Sequence, residues 1–215
     1  MWSGEEEEVT DGIFTTIYKN NTWGGVSRSG KGSDLENTGV IAAELERILS
    51  EYRIWSMLDI PCGDFSWMQR VNLEDRAYFG ADIVAALIAD NRERYYDRER
   101  DVNFEVLDLR EDSLPVVDLV FCRDGMVHLP NRMVWDCIRN IIGSGSRYLM
   151  ATTFPDHANR DIAEGGWRPI NLERPPFSFP PPLEFVFENY TGDNGRFTDK
   201  GMGLWEISSL MRVHE

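Results

Sequence analysis

The feature that most constrains the fold of this chain is a regular alternation of short apolar runs with segments of helical periodicity. The segments with apolar residues at helical spacing are residues 34–51, 84–98 and 133–142. The apolar runs are Ser56–Ile60, Tyr78–Ile83, Asn103–Leu109, Asp118–Cys122 and Arg147–Thr152. Strands that read as nearly continuous apolar runs are buried on both faces, as in a parallel sheet covered by helices. The sequence therefore predicts an α/β fold with a doubly wound, mainly parallel sheet and helices on both faces.

The 215 residues are predicted to form a single domain, because they contain no internal repeat and no linker long enough to separate two units. We also expect a helix to begin within residues 64–70 and a last strand to lie at Leu204–Ile207. Seven of the ten prolines fall between Pro155 and Pro182, which favours a long ordered excursion without regular structure after Phe154. The domain thus divides into residues 1–33, a core of residues 34–153, and residues 154–215.

Composition argues against several classes of function. The formal net charge is −15, and phosphate backbones are bound by clustered Lys and Arg, so no nucleic-acid partner is expected. The three cysteines lack CxxC spacing, which disfavours a disulfide framework or a zinc site and favours a reducing cytoplasm. No apolar run approaches the ~20 residues of a membrane helix, and the N-terminus does not resemble a signal peptide. The run Glu5–Glu8 is expected to be a solvated tail.

The turn after the first apolar run, "LDIPCGDF" at residues 58–65, carries the strongest local signal for ligand binding. Gly63 lets a ligand approach the backbone closely, and the amides that follow favour polar groups. A dinucleotide-binding turn needs the pattern GxGxxG, whereas this turn has one glycine and two acids, Asp59 and Asp64. Acids at these positions repel a diphosphate. An NAD-dependent oxidoreductase is therefore disfavoured, and a cationic ligand is expected.

The same turn resembles the first motif of the class I S-adenosylmethionine-dependent methyltransferases, which has the form LDxGCGxG. Pro61 stands in place of the first glycine of that motif and Phe65 in place of the last. The resemblance covers roughly residues 34–153. It implies the Rossmann-like class I methyltransferase fold, S-adenosyl-L-methionine as cofactor and S-adenosylhomocysteine as product.

Three further segments resemble later motifs of this family. Asp82 in "YFGADI" stands where the family has an acid that binds both ribose hydroxyls, and Asp108 in "EVLDL" stands near the adenine amino group. The segment "DLVFCRDGMVHLP" matches the spacing in the family from a strand acid, Asp118, to a histidine, His128. The core residues implied as cofactor contacts are Asp59, Pro61, Gly63, Asp82, Ile83, Asp108, Leu109 and Cys122. Taken singly, Asp82 also suits a helix cap, Asp108 a turn and a free cysteine the core.

The segment "IYKNNTWGGVSRSGKGSDLENTG", residues 17–39, is rich in Gly, Ser and Asn, which is typical of a loop. On composition alone it is either a mobile surface loop or a lid over the cofactor. The chain also resembles a subgroup of small bacterial and viral methyltransferases that share the "WGG", "SGxGSDLExT", "CRDxxVHL" and "GGWRPxNL" segments, and this favours the lid. The lid residues then expected at the cofactor are Trp23, as an apolar cover, and Ser29, Gly30 and Ser33, near the methionine carboxylate.

Methyl transfer to a hydroxyl requires a base, and histidine titrates closest to working pH. The candidates are His128, after the fourth predicted strand, and His157, after the fifth; His214 is penultimate in the chain and is expected to be frayed. Asp124 is a further candidate, either as the base or as the group that orients a histidine.

Oxygen-bearing side chains after the fourth and fifth predicted strands suggest metal-dependent methyl transfer as an alternative. Asp124 with Asp156 or Asn159 is a candidate set of ligands for a hard divalent ion that would hold a substrate diol. The spacing is not diagnostic, so a metal is permitted by the sequence but not expected.

The acceptor is expected to lie near Arg123, Asp156, Trp167 and Arg168. An aromatic face stacked on a pyranose, with hydrogen bonds from arginine, is a common way to bind a sugar, although Trp167 suits the core equally. The subgroup includes domains associated with glycan assembly. The leading expectation is therefore O-methylation of a sugar hydroxyl on a glycan or glycoside, within a larger glycan-assembly protein or complex. A methyltransferase acting on protein or a small metabolite, and an inactive cofactor-binding module, stay open.

Overall fold

The computed structural model describes residues 12–73 and 75–211, and the side chain of Asp193 is not described. The acidic run Glu5–Glu8 and His214 lie outside the described residues. No helix within the described ranges is long and apolar enough to cross a membrane.

Helices and strands alternate through the first two-thirds of the chain, at nearly the predicted positions. The helices are α1 (Ile13–Asn20), α2 (Leu35–Glu51), α3 (Ala85–Tyr95), α4 (Asn131–Gly143) and α5 (Ile207–Leu210). The strands are β1 (Ser56–Asp59), β2 (Ala77–Asp82), β3 (Val102–Val106), β4 (Leu119–Cys122), β5 (Tyr148–Thr153), β6 (Glu184–Phe187) and β7 (Gly201–Glu206).

The strands form one sheet in the order β3-β2-β1-β4-β5-β7-β6. The first five strands along the chain pair in parallel, and β7 runs antiparallel to both β5 and β6. This arrangement confirms the predicted doubly wound, mainly parallel sheet. The chain order reverses between β1 and β4, so the crevice outside the carboxyl ends of these two strands is the expected place for a ligand.

Apolar side chains from successive strand residues pack on opposite faces of the sheet. Met57 and Phe121 belong to the core cluster that includes residues of α2 and α3, whereas Leu58 and Val120 belong to the cluster that includes residues of α4. Each face is therefore closed by a layer of helix, as predicted. The second face is completed by residues of the excursion after β5, including Phe177.

The predicted helix within residues 64–70 is wrong. The segment contains only a 3₁₀ turn at Met68–Arg70, and Phe65 has a left-handed φ of 56°. The ring of Phe65 packs 5.1–5.2 Å from those of Tyr78, Tyr95 and Phe104. This aromatic packing in the core requires a backbone conformation that a helix does not provide.

The excursion after β5 lacks regular structure up to residue 183, as predicted. Strand β6 was not predicted, and β7 begins at Gly201 rather than at Leu204. A side chain at Gly201 would collide with the Phe185 ring, and one at Gly203 with the Trp205 ring. The glycines that read as turn residues in "KGMGLW" are therefore strand residues that make room for aromatic neighbours.

Candidate active site

A cavity of about 150 Å³ lies outside the carboxyl ends of the central strands, at the reversal of chain order. It is bounded by the turn after β1, the ends of β2 and β4, and the segment between α1 and α2, residues 21–34, which we call the lid. Thirteen of the predicted site residues line it: Trp23, Ser29, Ser33, Asp59, Pro61, Gly63, Asp82, Ile83, Asp108, Leu109, Arg123, Asp124 and His128.

Two buried acids form the floor of the cavity. Asp82, at the end of β2, accepts hydrogen bonds from the Gly63 N–H at 3.3 Å and the Val84 N–H at 3.0 Å, and burial raises its pKa to about 6. Asp59, at the end of β1, accepts one from the Tyr78 hydroxyl at 2.7 Å, and burial raises its pKa to about 7. Within the described part of the chain neither acid forms an ion pair, so both retain acceptor capacity for a ligand.

Asp64 does not face the cavity with Asp59, contrary to the expectation of two acids at the ligand. Its carboxylate accepts hydrogen bonds from the Ser27 hydroxyl and the Arg28 N–H, both at 2.9 Å. In return, the Asp64 N–H donates to the Ser29 hydroxyl at 2.9 Å. Asp64 therefore attaches the lid to the turn after β1.

Gly63 is approached by the lid. A side chain at Gly63, where φ is 55°, would overlap the Ser29 hydroxyl. The close approach that the sequence predicts at this glycine is thus made by Ser29. Gly30 does not line the cavity; it lies under Trp23, and a Cβ at Gly30 would come within 3.1 Å of the Trp23 Cβ.

The lid is packed in place. The Asp34 carboxylate accepts hydrogen bonds from the N–H groups of Val26 and Ser27, and Arg123 donates to the Gly32 carbonyl at 2.9 Å. The Trp23 ring stacks on the His128 ring, with centroids 4.2 Å apart. These contacts favour a lid over a mobile surface loop.

Helix α1, which was not predicted from the sequence, also contributes to the cavity through Phe14 and Tyr18. The signal was present, because Ile13, Phe14, Ile17 and Tyr18 recur at helical spacing.

Asp108 lines the cavity, but its carboxylate is engaged. Arg110 donates to both of its oxygens at 2.6–3.0 Å and also contacts Glu164 at 2.8 Å. Burial opposes ionisation of Asp108, yet the hydrogen bonds from Arg110 hold its pKa below the ordinary value. Leu109, next in sequence, supplies an apolar wall.

His128 stands at the edge of the cavity with one ring nitrogen fixed. Its Nδ1 lies 2.7 Å from the Gly166 carbonyl oxygen, which only accepts, so Nδ1 carries the proton and Nε2 keeps a lone pair. Burial lowers the pKa of His128 below its ordinary value. The imidazole is therefore neutral near pH 7 and available as a base through Nε2.

Asp124 belongs to a buried network of four charges. It lies 2.6 Å from Lys200 and 3.5 Å from Arg123, while Arg123 donates twice to Glu188, which lies 3.3 Å from Lys200. Burial opposes the charge on Asp124, but the two cations outweigh it and lower its pKa to about 2. A carboxylate with that pKa is a poor base, so the expectation of Asp124 as base is not supported. Glu188 and Lys200 were missed, because they are distant in sequence from every motif.

Arg168, which was predicted near the acceptor, does not line the cavity. It is fully buried and donates to the carbonyls of Arg160 and Met126 and to the Asn131 side chain. The bond to Asn131 joins the excursion to the start of α4, and the bond to Met126 joins it to the loop after β4. Its role in this structure is to hold that loop.

The other predicted residues that do not line the cavity are Cys122, Asp156, His157 and Trp167. Cys122 is buried within β4, and Asp156 is exposed. His157 pairs with Asp199 at 3.0 Å. The ring of Trp167, which is 39% exposed, packs 4.7 Å from that of Phe197.

The candidate metal ligands do not form a site together. The Asn159 side-chain nitrogen donates to the carbonyls of Asn171, Arg174 and Pro175, and its oxygen accepts from the Asn171 N–H. Asn159 therefore braces the excursion. Among the described residues, no group of three His, Cys, Asp or Glu side chains is arranged to hold a metal ion.

Comparison with known proteins gives similarity in structure only. No protein-family model matches the sequence, and no curated protein matches it. Human N-acetylserotonin methyltransferase in complex with SAM is 13% identical with a TM-score of 0.61, and the match covers 91% of this chain and 59% of that protein. A structure of PigF with SAH is 14% identical with a TM-score of 0.61, covering 92% and 62%.

A third solved structure, the N-methyltransferase NodS from Bradyrhizobium japonicum in complex with SAH, is 13% identical with a TM-score of 0.53, covering 67% of this chain and 74% of NodS. The chain thus spans about three-fifths of the length of the first two proteins. These similarities confirm the predicted fold.

Proposed function

From the class I methyltransferase fold of this chain and the geometry of its cavity, we propose that it is an S-adenosylmethionine-dependent methyltransferase acting on a hydroxyl group. The observation that carries the proposal is the position of His128 at the edge of a cavity with two buried acids at its floor, with Nδ1 held by the Gly166 carbonyl and no hydrogen-bond partner for Nε2 among the described residues. That cavity lies at the strand-order reversal, where ligands of doubly wound sheets bind.

The residues of the cavity fit the proposed cofactor. Asp82 has a buried carboxylate that keeps acceptor capacity beside its two backbone hydrogen bonds, which suits a vicinal diol. Ile83, Leu87 and Leu109 supply apolar surface for a flat base. A bound cation would favour the ionised forms of Asp59 and Asp82, whose pKa values burial raises. When bound, S-adenosylmethionine supplies a methyl group on a sulfonium.

His128 is proposed to take the proton of the acceptor hydroxyl on Nε2. Its lowered pKa keeps it neutral before the reaction, and the hydrogen bond from Nδ1 to the Gly166 carbonyl fixes the tautomer. The negative charge of Asp124 favours the protonated ring that results. Asp124 thus acts as an electrostatic partner of His128.

For the acceptor, we propose a sugar hydroxyl on a glycan or glycoside. The support is the half-exposed ring of Trp167, whose backbone neighbour Gly166 holds His128. The buried Arg168 provides no support. A protein or small-metabolite acceptor is the second candidate, and association with a larger glycan-assembly protein stays a prediction.

Calorimetry with S-adenosylmethionine tests the cofactor assignment. Asp82→Ala should weaken binding by ~1–3 kcal/mol, about 5- to 150-fold, the range for losing hydrogen bonds to a charged group. Asp136→Ala is the matched control, because Asp136 lies on α4 and pairs with Arg139 at the surface. Undetectable binding to the unaltered chain, or equal affinity in Asp82→Ala, contradicts the assignment.

Incubation with labelled S-adenosylmethionine and a panel of glycosides, peptides and small alcohols tests the reaction. Transfer to a glycoside should fall by 10²–10⁴-fold in His128→Asn, the usual contribution of a general base. Transfer only to peptides contradicts the sugar acceptor. Cofactor binding without any methylated product would instead favour the inactive binding module.

A further inference from the structure

We propose that Trp23 is a positioning residue for His128, so that closure of the lid sets the orientation of the base. This inference rests on the proposed function, since it concerns the same histidine. It extends the expected role of Trp23, which was only to cover the cofactor.

The first observation is the geometry of the ring pair. The indole of Trp23 and the imidazole of His128 stack with an interplanar angle of 20° and centroids 4.2 Å apart. The Gly166 carbonyl accepts from Nδ1 of the same ring at 2.7 Å. The stack fixes the ring plane and the hydrogen bond fixes its rotation, which together determine where Nε2 points. Holding a catalytic group in the correct orientation increases the rate of a reaction that requires aligned groups.

The second observation is that Trp23 is itself set by the lid. Gly30, with a φ of 94°, lies directly under Trp23, where any side chain would approach the Trp23 Cβ to 3.1 Å. The lid is braced internally by a hydrogen bond from the Val26 N–H, three residues beyond Trp23, to the Asp34 carboxylate. Asp64 then binds it to the turn after β1 through Ser27 and Arg28. The indole thus stacks on His128 in the arrangement in which the lid is attached to that turn.

The third observation is that His128 is held from the opposite side by the excursion. The Gly165 N–H donates to the His128 carbonyl at 2.9 Å, and the Arg168 N–H donates to the Val127 carbonyl. The base thus lies between two segments, the lid and the excursion. Of these, only the lid also closes the cavity, so the base is oriented in the state in which the cofactor is enclosed.

Histidine titration by NMR in the full chain tests the stack without requiring turnover. The charged groups that act on His128 are Asp124, Lys200 and Arg168, and none is altered by the variants used. Trp23→Ala should raise the pKa of His128 toward its ordinary value, because the ring gains solvent. Trp23→Phe keeps an aromatic face and should retain most of the effect. His128→Asn assigns the signal among the three histidines.

Kinetics with saturating S-adenosylmethionine provides the second readout. Trp23→Ala should lower kcat by about 10²-fold, the loss expected for a misplaced catalytic group. Trp23→Phe should restore most of the rate, and Gly30→Ala, which displaces the indole without removing it, should lower kcat in the same direction. Val26→Ser is the matched control in the lid, because that side chain is 98% exposed, and it should behave as the unaltered chain.

Two outcomes overturn the inference. In one, Trp23→Ala leaves both the pKa of His128 and kcat unchanged. In the other, it weakens cofactor affinity alone, which makes Trp23 a cover and nothing more. Failure of the chain to bind S-adenosylmethionine would defeat the proposed function instead, and the NMR titration would still decide whether the stack exists.

Discussion

The two sides of the cavity treat buried acids in opposite ways. At the ends of β1 and β2, Asp59 and Asp82 are held by neutral donors, and burial raises the pKa of each. On the side of β4 and β7, Asp124 and Glu188 are paired with the two cations Arg123 and Lys200. On the β1–β2 side, the negative charge of an ionised acid is not paired with a cation among the described residues and can be compensated by a cationic ligand. The second side is already neutral.

This difference suggests that the two sides of the cavity have different roles, one in ligand binding and one in structural support. An acid without a counter-charge in the protein favours a cationic ligand, and its burial makes the interaction stronger than it would be in water. A closed set of two acids and two cations has little charge left to offer, but it joins the loop after β4 to the lid and to the last strands. We infer that the β1–β2 side binds the cofactor and the β4–β7 side keeps the catalytic loop rigid.

The largest expected effect on stability comes from removing one cation of the four-charge network on the β4–β7 side. Arg123→Met leaves Glu188, whose side chain is fully buried, with Lys200 alone, and should lower the free energy of unfolding by about 3–5 kcal/mol. Urea denaturation at pH 7 measures it. Arg139→Met removes an exposed pair on α4 and should cost less than about 1 kcal/mol. Equal losses in the two variants would show that the network has no special weight.

The next prediction concerns the pH dependence of stability that arises from Asp59 on the β1–β2 side. The pKa of Asp59 is raised to about 7, so the folded state binds more protons than the unfolded state between about pH 4 and 7. Stability then decreases as pH rises through this window. Asp59→Asn removes the titration and should be more stable than the unaltered chain at pH 8, by the order of 2–4 kcal/mol, with little gain at pH 4.

Urea denaturation of both proteins from pH 4 to 8 provides the check. Tyr78→Phe should act in the other direction, because the Tyr78 hydroxyl donates to Asp59 and stabilises its charge. A pH slope that is the same in Asp59→Asn and the unaltered chain would contradict an unpaired buried acid on this side.

The contrast also explains what the sequence could predict. Short apolar segments, each recognisable in the sequence, form the strands that end at or before four of the site residues: Asp59, Gly63, Asp82 and His128. Parallel pairing brings the carboxyl ends of these strands to one edge of the sheet. Such positions are readable because a short segment determines them. The direction of each side chain was not readable, and so Asp64 was placed at the ligand although it binds the lid.

The opposite side depends on partners far apart in the chain. Glu188 follows β6, which was not predicted, and Lys200 precedes β7, whose glycines make room for Phe185 and Trp205 and read as turn residues. Arg168 was expected near the acceptor, but it is fully buried, with one acceptor in its own segment, Arg160, and two in others, Met126 and Asn131. No local pattern distinguishes a buried arginine with such partners from an exposed one.

Removing the second cation should have a smaller effect than removing the first. Lys200→Met eliminates the 2.6 Å contact with Asp124, but Arg123 still neutralises part of the charge on Asp124 and Glu188. We expect a loss of about 1–3 kcal/mol in the free energy of unfolding, together with a rise in the pKa of Asp124. Lys31→Met, at an exposed lid position, controls for the change in net charge. A loss as large as that of Arg123→Met would mean that the two cations are equivalent.

The smallest effect should come from His157, which does not line the cavity. Its pair with Asp199 is partly exposed, and Asp199 also accepts from the Asp156 N–H, so His157→Asn should cost less than about 1 kcal/mol of stability. Methyl transfer should fall by less than tenfold, against 10²–10⁴-fold for His128→Asn, because, of these two histidines, only His128 lines the cavity. Parallel assays of the two variants under saturating cofactor decide between the histidines. If His157→Asn abolishes transfer as fully as His128→Asn, the reacting groups extend beyond the cavity toward Phe197 and Trp167, and the division of the molecule into a cofactor side and a supporting side is wrong.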